Sequence, residues 1–229
     1  MQSIIITPTN GLQNSLDFYQ KLNFTTIEHD SMNLVTDGKI VIEINEKRFI
    51  RAGVKIFRES WTETVKKLEA KTKVIEIENG YLITDGNGVF IYLIEGKSAI
   101  NIDLEKVELS TLGNSMGVSI EAFDMEKTIE IWSILGFSQV MGSVEQGWVV
   151  YGNEDGLGIS FMKPNSCPHL FFSPSLTYFN GKNNMKVIEN IRAVNIPIAE
   201  EITVFNKKGI VDNVILRDNG GLGFFIFSD

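Results

Sequence analysis

The chain has 229 residues, with 29 acidic and 21 basic side chains and a formal net charge of −8 at pH 7. This acidic balance repels phosphate backbones and anionic lipids, which argues against nucleic acid or a membrane surface as a partner. The 43% hydrophobic content and mean hydropathy of +0.03 are typical of a globular protein. The start of the chain lacks the features of a signal peptide, and the single cysteine, Cys167, cannot form an internal disulfide. We therefore predict a cytoplasmic protein.

An internal repeat sets the domain organisation. Residues 15–24 and 128–137, which lie 113 positions apart, read SLDFYQKLNF and TIEIWSILGF. Each segment predicts an amphipathic helix that ends at Asn23 or Gly136, residue types that readily adopt the left-handed conformation, before a phenylalanine that opens a strand. One half is thus a diverged copy of the other. We predict a first domain at residues 1–97, a linker at 98–113 and a second domain at 114–229.

The first half predicts two successive βαβββ units. Its predicted strands cover residues 4–6, 24–28, 32–35, 39–45, 54–57, 74–77, 81–84 and 89–95. The apolar stripe of the first helix contains Leu12, Leu16, Tyr19 and Leu22, and that of the second contains Trp61, Val65 and Leu68. Asn10 with Gln13, and Ser60 with Glu63, are predicted capping pairs for these helices.

The second half repeats the pattern with longer connections. Its predicted strands cover residues 117–123, 148–151, 157–162, a segment near 176, and 222–227. The helix stripes contain Met125, Ile129, Trp132 and Leu135, and then Met185, Ile188 and Ile191. Asp124 is the predicted N-cap of the first of these helices. Because the insertions fall in a proline-marked stretch around 164–174 and in a hairpin at 196–211, we expect lids over a cavity in this domain.

Two motifs carry a resemblance to a known superfamily. The first helix ends in Phe-Tyr-x-x-Leu-x-Phe, and the hairpin that starts at Asp85 reads Asp-Gly-Asn-Gly before its closing strand. With the repeated βαβββ units, they resemble the vicinal oxygen chelate superfamily, which includes glyoxalase I, extradiol dioxygenases and bleomycin-resistance proteins. The resemblance implies an α+β fold of four βαβββ units. These units would form two glyoxalase/bleomycin-resistance-like domains, each with a curled mixed sheet around a cleft.

The resemblance also indicates where a divalent metal would bind. Many members hold the metal through His, Gln or Glu side chains on the first and last strands of each unit. The matching first-half residues are Ile4, Glu43, Val54 and Tyr92. The matching second-half residues are Gly117, Ser160, a residue near Leu176, and Phe225. Only Glu43 can coordinate, and the two histidines, His29 and His169, lie outside these positions, so we predict no metal site and no cofactor.

Glu43 is the candidate functional residue of the first half. Alternation along its strand directs it into the cleft, where it could act as a general base or as an anchor for a cationic ligand. It could equally be a relic carboxylate satisfied by a neighbouring lysine or by water. Four aromatic residues could form a stacking wall for a flat ligand or fill the vacated metal space, namely Phe90 and Tyr92 in the first half and Phe225 and Phe227 in the second. We predict a ligand between Glu43 and Tyr92, with Phe90, Ile4 and Val54 as further lining residues.

Three functions compete on this basis. The leading hypothesis is a metal-independent protein that binds or sequesters a small organic molecule, cationic or aromatic in character. The first alternative is a lyase, isomerase or dioxygenase-type enzyme that uses Glu43 as a base, or a non-standard metal site made of Glu43, His29 and Glu121. The second alternative is a structural or interaction protein with degenerate clefts. In each case we expect a monomer with an internal pseudo-dimer, or a homodimer.

Overall fold

The computed structural model describes residues 3–228. The strands of the first half are β1 (Ser3–Pro8), β2 (Thr25–Ile27), β3 (Asn33–Thr36), β4 (Val41–Asn45), β5 (Gly53–Arg58), β6 (Ile75–Ile77), β7 (Gly80–Thr84) and β8 (Phe90–Glu95). Those of the second half are β9 (Ser115–Glu121), β10 (Ser138–Ser143), β11 (Trp148–Gly152), β12 (Gly158–Met162), β13 (Ser175–Phe179), β14 (Ile198–Ile202), β15 (Asn213–Arg217) and β16 (Gly223–Phe227). The α-helices are α1 (Leu12–Lys21), α2 (Thr62–Leu68), α3 (Met125–Ile134) and α4 (Asn184–Ala193). Within the described part of the chain, no helix is long and apolar enough to span a bilayer.

The strands form two eight-stranded sheets of identical topology. The first has the order β2-β3-β4-β1-β5-β8-β7-β6, and the second has the order β10-β11-β12-β9-β13-β16-β15-β14. In each sheet an antiparallel pair, β1 with β5 or β9 with β13, joins two βαβββ units at the centre. The predicted α+β architecture of four such units is confirmed. The sequence predicted a strand that opens at Phe137 but did not give its extent, because residues 138–141 of β10 are exposed and show no apolar alternation.

Local signals predicted the helix ends better than the helix starts. Asn23 and Gly136 have φ angles of 59° and 93°, the left-handed conformation expected there. The Asp124 side chain accepts a hydrogen bond from the Lys127 backbone N–H, as predicted for an N-cap. The other two capping predictions are wrong, because the N-caps are Gly11 and Trp61 and neither makes a side-chain capping bond.

The two domains share one hydrophobic core. The helix-facing sides of both sheets belong to a single cluster of buried residues that runs from Ile5 to Ile226. Phe18 of α1 lies 5.8 Å, ring centre to ring centre, from Phe224 of β16, and Tyr19 lies 6.2 Å from it. The halves are therefore packed against each other through α1 and the second sheet.

Four equivalent hairpin turns connect the domains. An Asp or Asn between the third and fourth strands of each unit accepts backbone N–H bonds from its own turn and hydrogen-bonds across to the other domain. These residues are Asp37, Asp85, Asn153 and Asp218. Their partners across the junction are Tyr178, Trp132, Ser3 and Tyr19. The same turn chemistry thus both shapes each hairpin and positions the two sheets.

The connection between the sheets packs on the concave face of the first sheet. Ile100 is 5% exposed and belongs to a cluster with Ile4, Val41 and Phe57, against which Ile102 and Leu104 also pack. A short 3-10 helix, Leu104–Lys106, follows. The concave face of the first sheet is therefore covered by the chain itself.

Candidate functional site on the concave face of the second sheet

Strand register defines which residues of the two concave faces correspond. At one level, Ile4, Val41, Lys55 and Tyr92 of the first sheet match Gly117, Gly158, Thr177 and Phe225 of the second. At the next level, Ile6 pairs with Glu43, and Ser119 pairs with Ser160. The same backbone frame thus carries bulkier side chains in the first domain and small ones in the second, except at Phe225, which matches Tyr92.

The first concave face holds a closed polar network. Glu43 is 3% exposed, forms a salt bridge with Lys55, and accepts a hydrogen bond of 2.6 Å from Asn45 Nδ2. The Tyr92 hydroxyl accepts a 2.9 Å bond from Arg51 N and lies 3.2 Å from Arg51 O, to which it donates. Burial raises the pKa of Tyr92, so the phenol remains protonated. The Glu43 carboxylate and the Tyr92 hydroxyl, the two predicted functional groups, therefore both have partners within the protein.

One of the sequence-based assignments to the family's ligand positions is corrected by one residue. Val54 belongs to the helix-facing core, and Lys55 takes its place on the concave face as the strand partner of Ile4 and Tyr92. In the second domain, Thr177 is the concave-face residue near Leu176. A shift of one residue along a strand exchanges the two faces, so an error of one residue in register placed Val54 on the wrong face.

The residues that were predicted to line a ligand site in the first domain therefore contact other side chains of the protein. Ile4 is fully buried among apolar neighbours, and Lys55 pairs along the strands with both Ile4 and Tyr92. Phe90 is half-buried at the start of β8. The interpretation of Glu43 as a carboxylate satisfied by a lysine agrees with this geometry. We place the candidate site in the second domain.

A cavity of about 930 Å³ lies on the concave face of the second sheet. Its floor consists of small residues from three adjacent central strands, namely Gly117, Ser119, Gly158, Ser160 and Thr177. A Cβ atom on Gly117, whose φ is +114°, would lie 2.2 Å from the carbonyl oxygen of Gly158, so no other residue fits that position without a shift. The small floor residues leave the volume that larger side chains fill in the first domain.

An aromatic wall borders this floor. The rings of Phe225 and Phe227 are nearly parallel, at 5° and 5.6 Å between centres. His169 meets both of them edge-on, at 5.4 and 5.2 Å, and Phe179 stacks on Phe227 at 6.4 Å. Trp148 of β11 also lines the cavity and is 37% exposed. Flat apolar surfaces of this kind favour an aromatic ligand.

The polar groups of the cavity are few and mostly neutral. The hydroxyls of Ser119 and Thr177 hydrogen-bond to each other at 2.7 Å, and Ser160 lies beside Ser119 on the next strand. His169 Nδ1 lies 2.8 Å from the carbonyl oxygen of Leu170, a contact that favours the tautomer with the proton on Nδ1 and an acceptor at Nε2. Burial raises the pKa of the Cys167 thiol, which keeps it protonated.

The residues present do not fit the divalent metal of the superfamily. The corresponding positions of the second domain carry glycine, hydroxyl and phenyl side chains. Among residues 3–228, no three His, Cys, Asp or Glu side chains come together to hold a metal ion. The non-standard set is also dispersed, because Glu43 pairs with Lys55, Glu121 accepts from Asn165 N, and His29 accepts from Ser31 N. Hydroxyl and phenyl groups are poor replacements for the imidazole and carboxylate ligands that such metals prefer.

Sequence reasoning underestimated several cavity residues. It gave Cys167 no role in a site and placed His169 outside the ligand positions, yet both line the cavity together with Phe171, all from the proline-marked stretch. A usable signal was present, since Gly117 with Ser119 and Gly158 with Ser160 are small residues spaced by two in neighbouring strands. Such alternation predicts a groove on one face of a sheet.

Comparison with known proteins supports the fold. No family model matches the chain, and no curated protein matches it. A catechol 2,3-dioxygenase structure is similar with a TM-score of 0.57 and 9% identity, over 98% of this chain and 86% of that one. The Mn(II)-bound glyoxalase from Novosphingobium aromaticivorans gives 0.54 and 11%, over 98% and 80%. The 2,2',3-trihydroxybiphenyl 1,2-dioxygenase from Sphingomonas wittichii strain RW1 gives 0.54 and 11%, over 100% and 92%.

These structures define the class to which the architecture corresponds. Along nearly its whole length the chain shares the fold of these dioxygenases and this glyoxalase, which is the fold that its motifs indicated. At 9 to 11% identity, the likeness is one of fold. A shared fold does not define the activity, which depends on the residues of the functional site.

Proposed function

We propose that this protein binds a small aromatic organic molecule in the second-domain cavity, without a metal ion. The observation that carries the proposal is the cavity of about 930 Å³ with a floor of glycine, serine and threonine and a wall of phenylalanine and histidine. Ligand sites in proteins commonly measure about 300–1,000 Å³ and combine apolar walls with a few oriented polar groups. This cavity meets both criteria.

The lining also favours a particular class of ligand. Among the described lining residues, Glu154 is the one Asp, Glu, Lys or Arg side chain, and it is exposed. An anionic ligand would lose its hydration without gaining a cationic partner there, whereas a neutral or cationic one would not meet this penalty. The hydroxyls of Ser119, Ser160 and Thr177 can orient a carbonyl or hydroxyl group of the ligand. We therefore expect an uncharged or cationic ring compound.

A neutral dye tests the proposal directly. Nile red should bind to the wild-type protein with a saturable rise in fluorescence, because its flat apolar rings match the aromatic wall. Ser160→Trp places an indole on the cavity floor and should weaken binding about tenfold or more. Glu43→Gln, at the equivalent position of the first domain, is the matched control and should change the affinity by less than about twofold.

The same titration can also contradict the proposal. Equal affinity in the wild type and Ser160→Trp would show that the dye binds elsewhere and would remove the assigned cavity. Loss of binding after treatment with EDTA, restored by Mn²⁺ or Zn²⁺, would contradict the metal-independent part of the proposal.

The enzyme alternative draws support from the fold, since the similar structures include dioxygenases and a glyoxalase. It requires a metal site or base that the second cavity would have to supply from His169 and hydroxyl groups. Elemental analysis of protein purified without chelator separates the two functions. A stoichiometric transition metal would favour the enzyme.

A further inference from the structure

A second pocket, separate from the aromatic cavity, lies at the junction of the two domains. It has a volume of about 490 Å³ and is formed by the end of β1, the loop between β4 and β5, and the turn between β15 and β16. We call residues 46–52, which connect β4 to β5, the basic loop. This pocket shares no lining residue with the second-domain cavity.

The basic loop concentrates positive charge in an acidic protein. Lys47, Arg48 and Arg51 line the pocket, and Glu46 is the one acidic residue among the described residues that line it. Within the described chain, none of the three cations makes a salt bridge to a carboxylate, and all three are exposed. Three unneutralised cations around a concavity create a local positive potential despite the overall charge of −8.

Hydrogen bonds to Tyr92 and Asn45 fix the backbone of the basic loop. Tyr92 hydrogen-bonds both the N–H and the carbonyl of Arg51, and Asn45 Oδ1 accepts a 2.9 Å bond from Lys47 N. The Arg51 guanidinium donates through Nη1 to the carbonyl oxygens of Arg48 at 3.2 Å and Ile50 at 2.9 Å. Asn45 also binds Glu43. The network that closes the first concave face therefore fixes the basic loop, which lowers the entropic cost of binding there.

The second domain provides the opposite wall. A Cβ atom on Gly220 would lie 2.1 Å from Pro8 O, so the turn packs closely on the end of β1. The Asn10 and Asn219 carboxamides also line the pocket and are able to donate hydrogen bonds. Cations and amide donors thus surround one space from both domains.

We propose that this junction pocket binds a small anion with phosphate chemistry. Guanidinium groups match phosphate oxygens with paired N–H donors, and lysine adds a point charge. The volume accommodates a phosphate with an organic substituent or a pyrophosphate. The site is distinct from the cavity proposed for the aromatic ligand and does not depend on it.

Calorimetric titration with pyrophosphate at about 50 mM salt tests the site, because surface charge interactions are only partly screened there. The Arg48→Glu/Arg51→Glu variant should bind about tenfold more weakly or worse. Lys207→Glu/Lys208→Glu has the same change in charge on an exposed loop outside the pocket and is the control. It should retain the wild-type affinity within about twofold.

A second arm distinguishes a soluble anion from a lipid headgroup. Phe49 is 90% exposed beside the cations, so vesicles of phosphatidic acid, whose headgroup is a phosphomonoester, mixed with phosphatidylcholine are compared with phosphatidylcholine alone. Binding to the anionic vesicles that is lost in Arg48→Glu/Arg51→Glu would support the site with a lipid phosphate as its source. Absence of both pyrophosphate and vesicle binding would overturn the proposal, and so would equal weakening in the two double variants.

Discussion

Removal of the Tyr19 hydroxyl should weaken the junction between the two domains. Tyr19 is fully buried on α1, and its hydroxyl donates a 2.8 Å bond to Asp218 Oδ2 in the other domain. Asp218 also accepts from Thr7 Oγ1 at 2.8 Å and from two backbone N–H groups of its own turn. Tyr19→Phe keeps the ring packing on Phe224 and deletes one donor from a buried carboxyl group.

The magnitude follows from the character of that bond. A hydrogen bond to a charged group contributes about 1.5–3 kcal/mol, and one between neutral groups about 0.5–1.5 kcal/mol. Burial raises the pKa of Asp218, and this carboxyl group keeps three other donors when the Tyr19 hydroxyl is removed, so the middle of the combined range applies. We expect Tyr19→Phe to lower the free energy of unfolding by about 1–2 kcal/mol. For a chain of this size, this corresponds to a fall in Tm of roughly 2–8 °C.

Urea unfolding followed by tryptophan fluorescence measures the effect. Tyr81→Phe is the matched control, because Tyr81 is half-buried on β7 and its hydroxyl has no hydrogen-bond partner within the described structure. Its effect should stay within about 0.5 kcal/mol. If Tyr19→Phe destabilised the protein no more than Tyr81→Phe, the assigned role of the turn aspartate in joining the domains would be refuted.

Three further predictions concern the same architecture. Because burial raises the pKa of Asp218 above its ordinary value of 3.8, the folded state retains a proton that the unfolded state releases. The bound proton therefore stabilises the folded state below the ordinary pKa, and this stabilisation is lost as the pH rises through the raised pKa of Asp218. Urea unfolding from about pH 4 upward should show that the wild type loses stability relative to Asp218→Asn. Gly220→Ala should cost about 1–3 kcal/mol in the same assay, because its methyl would lie 2.1 Å from Pro8 O, whereas Gly11→Ala, with 3.4 Å to its nearest neighbour, should cost less. Ile100→Ala should lower the unfolding free energy by about 2–5 kcal/mol, since the side chain is 5% exposed on the first sheet, and a loss under 1 kcal/mol would show that the linker does not pack there.

The sequence alone determined the repeated architecture of this protein. Strand alternation, helix stripes and the left-handed positions at Asn23 and Gly136 are properties of a few consecutive residues, and the structure reproduces them. The turn aspartate Asp85 was also visible as a hairpin signal, because its side chain binds the backbone of its own turn. These features depend on interactions between residues that are close together in the chain, so the sequence alone was sufficient to predict them.

The tertiary structure decided which concave face is open. Whether Glu43 meets a ligand or Lys55 depends on the register of β5 against β1 and β8, which no local pattern specifies. The sequence predicted residues 98–113 only as a linker, yet Ile100 and its neighbours cover the first sheet. The second cavity exists because Gly117, Ser160 and Thr177, distant in the chain, lie side by side on adjacent strands. A cavity is a volume left between such residues, and it is defined only when their strands are paired.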